Sequence, residues 1–214
     1  MLILNNLMPE PLRERLSGKE SSIWNRSLQF ATGEWIKITA PSGTGKTTLV
    51  HMMYALRKDY AGSILLHQTN IRSLDPDSLA CVRQQQISII FQDLKLFPHL
   101  TARENIELKR ILQEPFCDAA QVTKMAEQLG IAGILDQPAR ICSYGEQQRI
   151  CIIRALVQPF EWLIMDEPFS HLDIVNTKIA AALIAEECRK RKAGFVITDL
   201  DDDELFPYTQ KLHL

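Results

Sequence analysis

"APSGTGKTT", residues Ala40–Thr48, decides how the rest of the chain is read. It follows a short apolar run, "WIKIT" (Trp35–Thr39), and opens a helical pattern, "TTLVHMMYALRK" (Thr47–Lys58). A strand, a glycine-bearing turn and a helix in that order form the context that a phosphate-binding loop requires. Gly43 and Gly45 let the backbone curl so that successive N–H groups face one centre. The helix N-terminus adds its partial positive charge there. Ala40, Pro41, Ser42, Thr44 and Thr48 complete the cradle, Lys46 reaches toward β- and γ-phosphates, and the Thr47 hydroxyl suits Mg2+. Ala40 stands where the G-x-x-x-x-G-K-[ST] pattern begins with glycine, a change that a small residue tolerates if its φ is negative. Taken alone, a glycine-containing strand-to-helix turn is the plain alternative.

Three further apolar runs resemble "WIKIT": "ISIIF" (Ile87–Phe91), "WLIMD" (Trp162–Asp166) and "FVIT" (Phe195–Thr198). Most are too continuous for half-exposed strands and suit strands buried on both faces. Alternation with helices such as Ile174–Arg191 predicts an α/β fold, a doubly wound and mainly parallel sheet. Between Leu94 and Ser143 the pattern is helical only. Thr101 and Glu104 form a capping box for a helix to about Gln113, ahead of Pro115. Val122, Met125, Ala126 and Leu129 then share one helical face, closed by Gly130. The expected organisation is one nucleotide-binding domain over 1–214. Residues 1–93 and 151–214 form the core, with a strand-rich N-terminal part, and 94–150 form a helical insert.

Composition narrows the class. The chain has 214 residues and is 46% hydrophobic, enough for a proper core. A formal net charge of −2 gives no general polyanion-binding surface, so no nucleic acid partner is expected and phosphate chemistry must be local. No apolar run approaches the roughly 18–20 residues of a membrane span. The opening "MLILNNLMPEPL" lacks a basic leader. The five cysteines are scattered without a CxxC pair, which points to reduced cytosolic thiols rather than disulfides or zinc.

"WLIMDEP" (Trp162–Pro168) supplies a second part of a site. A strand ending in Asp166 presents a carboxylate for Mg2+ at the sheet edge, and Glu167 can polarise a water for attack on a γ-phosphate. Two solvated acids at a strand end are the plainer reading of the same residues. Gln92, just past "ISIIF", can touch both Mg2+ and water and so report the nucleotide to the helical insert.

Together these stretches resemble the ATP-binding cassette (ABC) ATPase family, from about Leu28 to Thr198. "APSGTGKTT" is similar to its P-loop, "FQD" to its Q-loop and "CSYGEQQR" (Cys142–Arg149) to its signature. "WLIMDEP" is similar to its Walker B motif, and "SHLD" (Ser170, His171, Leu172, Asp173) to its D-loop. The run "FQDLKLFPHLTARENIEL" is most similar to small ATPases of lipoprotein-release, macrolide-efflux and cell-division-type complexes. The residues of the signature also read locally: Ser143 and Glu146 form a capping box, and Ile150, Ile153 and Val157 line one helical face. Ser143, Tyr144, Gly145, Glu146 and Gln147 thereby expose a hydroxyl, an N–H and a helix N-terminus, an anion half-site. The resemblance implies ATP and Mg2+ as ligands, with two ABC ATPase chains paired head to tail as a homodimer or with a relative. Ser143 of one then meets the γ-phosphate held by Lys46 of the other. It also implies a separate transmembrane subunit and a place on the inner face of the cell membrane.

The match departs from the family pattern at three places. Tyr144 replaces the first of two glycines and is expected to point away from phosphate. Asp199 stands where a switch histidine is usual, and a carboxylate about 4 Å from a phosphate charge is repelled by roughly 4 kcal/mol per charge pair at an effective dielectric of 20. His171 is a conceivable substitute. The acidic run Asp199–Glu204 also reads as the first turn of a helix. No aromatic lies near "LMPEPL" to stack on adenine, and Trp24 is the nearest. Two functions therefore stand side by side: an ATPase driving a membrane partner, and a slow or non-hydrolysing nucleotide-gated module.

Overall fold

Strand alternation builds two cores in this chain. The computed structural model describes residues 1–16, 18 and 20–214. The order is β1 (Leu2–Pro9), a one-turn α1 (Arg13–Leu16), β2 (Ser27–Phe30), β3 (Trp35–Thr39), α2 (Lys46–Met53), β4 (Tyr60–Leu66), β5 (Thr69–Asn70), α3 (Pro76–Gln85) and β6 (Ile87–Ile90). Helices α4 (Ala102–Arg110), α5 (Ala119–Gln128) and α6 (Tyr144–Leu156) follow with no strand between them. Then come β7 (Trp162–Asp166), α7 (Ile174–Arg191), β8 (Gly194–Asp199) and β9 (Gln210–His213).

Five strands pair in the order β6-β7-β8-β3-β9, all parallel, and four N-terminal strands pair antiparallel as β2-β1-β4-β5. On the parallel sheet, Ile36, Ile38, Ile164 and Val196 face a core shared with α2 and the antiparallel sheet. Their neighbours Trp35, Leu163, Met165, Phe195 and Ile197 face the core beneath α5, α6 and α7. This is why "WIKIT", "ISII" and "WLIMD" are continuous apolar runs: each successive residue enters a different interior. Each large side chain so enclosed contributes about 1.5–3 kcal/mol. Lys37 is the exception, a cation buried in the middle of β3.

Local signals place the remaining elements. Thr101–Glu104, Asp118–Gln121 and Ser143–Glu146 each form the reciprocal bonds of a capping box, opening α4, α5 and α6. Val122, Met125, Ala126 and Leu129 are buried as their spacing predicts. Two helices are shorter than expected. The helix begun by the phosphate loop stops at Met53, because Ala55 adopts φ +56 and Leu56 and Arg57 turn their N–H groups back to His51 O. Helix α4 stops at Arg110, where the Gln113 amide donates to Lys109 O at 2.8 Å. The acidic run Asp199–Glu204 does not open a helix. Its carboxylates are drawn instead to Lys37 and Lys211.

Candidate nucleotide site

The C-terminal ends of β3, β6, β7 and β8 bring the predicted residues to one sheet edge. The phosphate loop leaves β3 at Ala40, which is not among the residues of positive φ and so accepts a side chain where the pattern has glycine. Gly43 and Gly45 do need their freedom, at φ +76 and +107. A Cβ on Gly43 would lie 2.8 Å from the Arg15 guanidinium. With the loop closed in this way, Lys46 donates to Ala40 O at 2.7 Å and Pro41 O at 3.3 Å, and Thr44 Oγ1 donates to Pro41 O at 2.7 Å.

From Lys46 a chain of polar contacts crosses the cleft. The Lys46 ammonium lies 3.4 Å from Glu167 Oε1, the Gln92 amide donates to Glu167 Oε2 at 3.0 Å, and Thr47 Oγ1 donates to Gln92 Oε1 at 3.4 Å. Glu167 is held in left-handed backbone, φ +46, with its N–H on Thr198 O at 2.9 Å. For a residue with a Cβ that conformation is strained, of the kind found where position matters to function. Asp166 lies beneath, 1% exposed, and accepts from Thr198 Oγ1 at 2.7 Å. The cleft encloses about 260 Å3 between the phosphate loop, Gln92, Glu167, Leu12 and Arg15.

The donors fit Mg2+. Thr47 Oγ1, Gln92 Oε1 and the Asp166 carboxylate are all hard oxygens, the type this cation takes, and it usually binds one or two carboxylates together with substrate phosphates. Among the described residues no group of three or more His, Cys, Asp or Glu gathers as a metal cluster.

Two predicted stretches lie elsewhere on the surface. Ser143 caps α6, its hydroxyl 2.8 Å from Glu146 Oε2, and none of Ser143–Gln147 lines the phosphate cleft. The bonds from the Ser143 backbone and hydroxyl hold the Glu146 carboxyl below its ordinary value. Tyr144, 69% exposed, stacks on His171 with ring centroids 5.4 Å apart. His171 also contacts Ser170 and Gln148, at 3.1 and 3.2 Å. It therefore packs against Tyr144 and Gln148 of α6 and does not line the phosphate cleft. Gly145 packs so closely there that a Cβ would meet His171 O at 3.1 Å. Gln147 donates to Ala139 O and Cys142 O, and Asp173 caps α7 beside the half-buried Leu172.

The Gln92 loop is tied to the helix that Ser143 begins. Arg154 of α6 donates to Leu94 O at 2.6 Å and Lys95 O at 2.7 Å, and Cys151 Sγ to Leu94 O at 3.1 Å. Leu94 and Lys95 both carry positive φ, +60 and +49, so these bonds hold a strained turn. Beside it a groove of about 390 Å3 is walled by Ile89, Phe91, Phe97 and Leu108, with Lys109 and Arg154 at its polar side. Burial, reinforced by Arg154 and Arg83, pulls the Lys109 ammonium down to about 8.

At the remaining departures, Asp199 turns to Lys37, 3.2 Å away, and Trp24 is 5% exposed against the underside of Gly45. Trp24 is thus core. Arg15 and Leu12, which reach the cleft from the segment after β1, were not singled out by the sequence. The two arginines of "PLRERL", Arg13 and Arg15, give no periodic or spacing signal that singles out Arg15.

Comparison with known proteins gives the family. A family model described as "ABC transporter" matches residues 23–170. The chain belongs to the ABC transporter family. It is 39% identical over 178 residues to the molybdate/tungstate import ATP-binding protein WtpC of Pyrococcus horikoshii, covering 81% of this chain and 48% of that protein. It is 34% identical over 167 residues to the thiamine import ATP-binding protein ThiQ of Haemophilus ducreyi, covering 77% and 76% respectively. It is 35% identical over 162 residues to the macrolide export ATP-binding/permease protein MacB of Salmonella typhimurium, covering 75% and 25%. The chain spans 48%, 50% and 25% of the length of the first three curated relatives it matches. Among solved structures, the dimeric ATP-binding cassette MJ0796 in a post-hydrolysis state with ADP and Pi superposes with a TM-score of 0.79. That match has 26% identity and covers 94% of this chain and 88% of the other.

Proposed function

We propose that this chain binds and hydrolyses ATP, pairs across the nucleotide with a second ABC ATPase chain, and drives a conformational change in a separate membrane-spanning partner. The observation that carries the reading is the unbroken contact chain Lys46–Glu167–Gln92–Thr47 at one sheet edge. These contacts hold the proposed base Glu167 and the proposed metal ligands Thr47 and Gln92 beside Lys46 of the phosphate loop.

The residues divide the work. Backbone N–H groups of Ser42–Thr48 cradle the polyphosphate, and Lys46 exchanges its contacts to Ala40 O, Pro41 O and Glu167 for β- and γ-oxygens. Thr47, Gln92 and Asp166 would hold Mg2+, which supplies charge neutralisation when bound. Glu167, released from Lys46, orients a water and accepts its proton as the water oxygen attacks the γ-phosphorus. The bond to the β-phosphate oxygen breaks, leaving ADP and inorganic phosphate. Gln92 feels the change directly, and Arg154 carries it to the signature helix. Ser143 and the Gly145 N–H complete the second chain's site rather than their own.

Among the described residues no helix is long and apolar enough to cross a membrane. The surface for the partner is the groove of Phe91, Phe97 and Leu108 beside Gln92. An apolar segment with one carboxylate suits it, because a carboxylate would offset the cost of Lys109. The chain would then sit on the inner membrane face through that partner. Steady-state phosphate release by the purified chain, with and without Mg2+ and against Lys46→Ala, tests the reading. It fails if the wild type neither binds nor hydrolyses ATP.

One observation favours the second reading, a slow nucleotide-gated module: Asp199 is turned to Lys37, and among the described residues no histidine lines the cleft. Equal, slow phosphate release by wild type and Glu167→Gln selects it.

A further inference from the structure

The charge buried in the central sheet has no part in the chemistry above. Lys37 sits in the middle of β3 between Ile197 of β8 and Lys211 of β9, and its side chain is 0% exposed. An ammonium taken out of water is costly unless opposite charge meets it. Here it meets two carboxylates of one short segment, Asp199 at 3.2 Å and Asp203. The segment folds back through Tyr208, whose hydroxyl donates to Asp203 Oδ1 at 2.7 Å and whose ring centroid is 5.8 Å from the Lys37 ammonium. Lys211 holds the outer side, bonding Asp202 at 3.0 Å and Glu204 at 2.7 Å. Residues 199–211 are therefore a strap fastened to the sheet by two lysines.

The near end of that strap belongs to the nucleotide site. Asp199 O accepts from Ala40 N, the first residue of the phosphate loop, at 3.1 Å. Thr198 bonds Asp166 through its side chain at 2.7 Å and Glu167 through its carbonyl at 2.9 Å. Alternation along β8 sends the two side chains to opposite faces, Thr198 toward the site carboxylates and Asp199 toward Lys37.

From these contacts we infer that Lys37 is a positioning residue for nucleotide binding. Its ammonium holds the Asp199 carboxylate on the far face of the sheet, away from the polyphosphate, and fixes residues 198–199 against the phosphate loop. The inference rests on the nucleotide-site reading above, and Lys37 itself touches no nucleotide. The logic is electrostatic. A carboxylate whose own backbone bonds the phosphate loop repels a polyanionic ligand unless it is neutralised and turned away. Lys37 does both. Methionine has nearly the same length and would fill the space, so packing alone does not require a lysine here.

The test is titration of the 214-residue chain with ATP, ADP and AMP in excess Mg2+. Wild type, Lys37→Met, Asp199→Asn and the double variant are compared, with a thermal melt of each. Lys37→Met is expected to lose at least about tenfold in ATP affinity, less for ADP and about twofold or less for AMP, since the penalty scales with phosphate charge. Asp199→Asn binds ATP within about threefold of wild type, and added to Lys37→Met it restores affinity to about that range. A folded Lys37→Met that binds ATP like wild type overturns the inference. So does a double variant as weak as the single one, or a loss equal for all three nucleotides. If Lys37→Met does not fold, Lys37→Arg carries the test. It keeps the charge and should stay within about threefold, whereas a folded Arg variant weakened about tenfold overturns the role. Lys46→Ala is the reference. If wild type does not bind ATP, or binds equally well without Lys46, the nucleotide-site reading has failed and the inference falls with it.

Discussion

The Gln92 amide and the Glu167 carboxylate are bonded at 3.0 Å across the mouth of the phosphate loop, joining the end of β6 to the end of β7. Neither residue is near the other in sequence. Their contact makes the proposed base and the proposed sensor a single unit, which arrival of a γ-phosphate must open.

Glu167→Gln should keep the amide contact, the strained backbone and ATP binding while removing the proton acceptor. Steady-state phosphate release is expected to fall roughly 100-fold or more, the usual contribution of a general base. Turnover within a few-fold of wild type would remove Glu167 from that role.

Thr198→Val deletes the hydroxyl on Asp166 at nearly constant volume. Because both groups are buried, the unfolding free energy should drop by about 1–3 kcal/mol. Mg2+-dependent ATP affinity should fall with it, as Asp166 loses its orienting donor. Chemical denaturation and nucleotide titration read the two effects separately.

Arg15→Ala tests a contact that only the structure shows. The guanidinium lies over Gly43 on the open side of the cleft. Its removal should weaken ATP binding about 3–10-fold, as expected for one partly exposed cation on a phosphate, and leave the melting temperature unchanged.

Lys109 makes a pH-dependent prediction. Burial, with Arg154 and Arg83 nearby, depresses its value from 10.5 to about 8. The unfolded chain therefore binds the proton more tightly, and the charged side chain costs stability at all pH values below about 8. Lys109→Met should raise stability at pH 7 by about 1–2 kcal/mol after allowing for solvent screening. That gain should shrink as pH rises from about 8 toward 10.5. Urea unfolding of wild type and variant at several pH values checks it, and a gain that grows with pH contradicts it.

Much of the candidate site was legible in the sequence because a phosphate loop is built from contiguous residues. Gly43, Gly45, Lys46 and Thr47 must follow one another for the loop to close, and Asp166–Glu167 must follow a buried strand. The fold was legible for a similar reason, since β3, β6, β7 and β8 enter both cores and so appear as unbroken apolar runs. What could not be read depends on partners distant in sequence. Nothing in "WIKIT" itself says that Lys37 is buried, because the carboxylates that meet it, Asp199 and Asp203, are 162 and 166 residues away. Asp199–Glu204 has the composition of a helix start, yet Lys37 and Lys211 outbid the helix dipole for its charges. Arg15 becomes a site residue only when β1 delivers the segment after it to Gly43. His171 is a loop residue in the sequence, and its stacking on Tyr144 at the start of α6 shows only in the fold.

The shared-nucleotide arrangement is tested most directly by sedimentation equilibrium of Glu167→Gln saturated with Mg2+ and ATP, beside the same variant carrying Ser143→Arg. The account predicts a dimer for the first and a monomer for the second, because the proposed arrangement has Ser143 completing its neighbour's site. A Glu167→Gln chain that stays monomeric with ATP bound, or one that pairs equally well with arginine at 143, would contradict it.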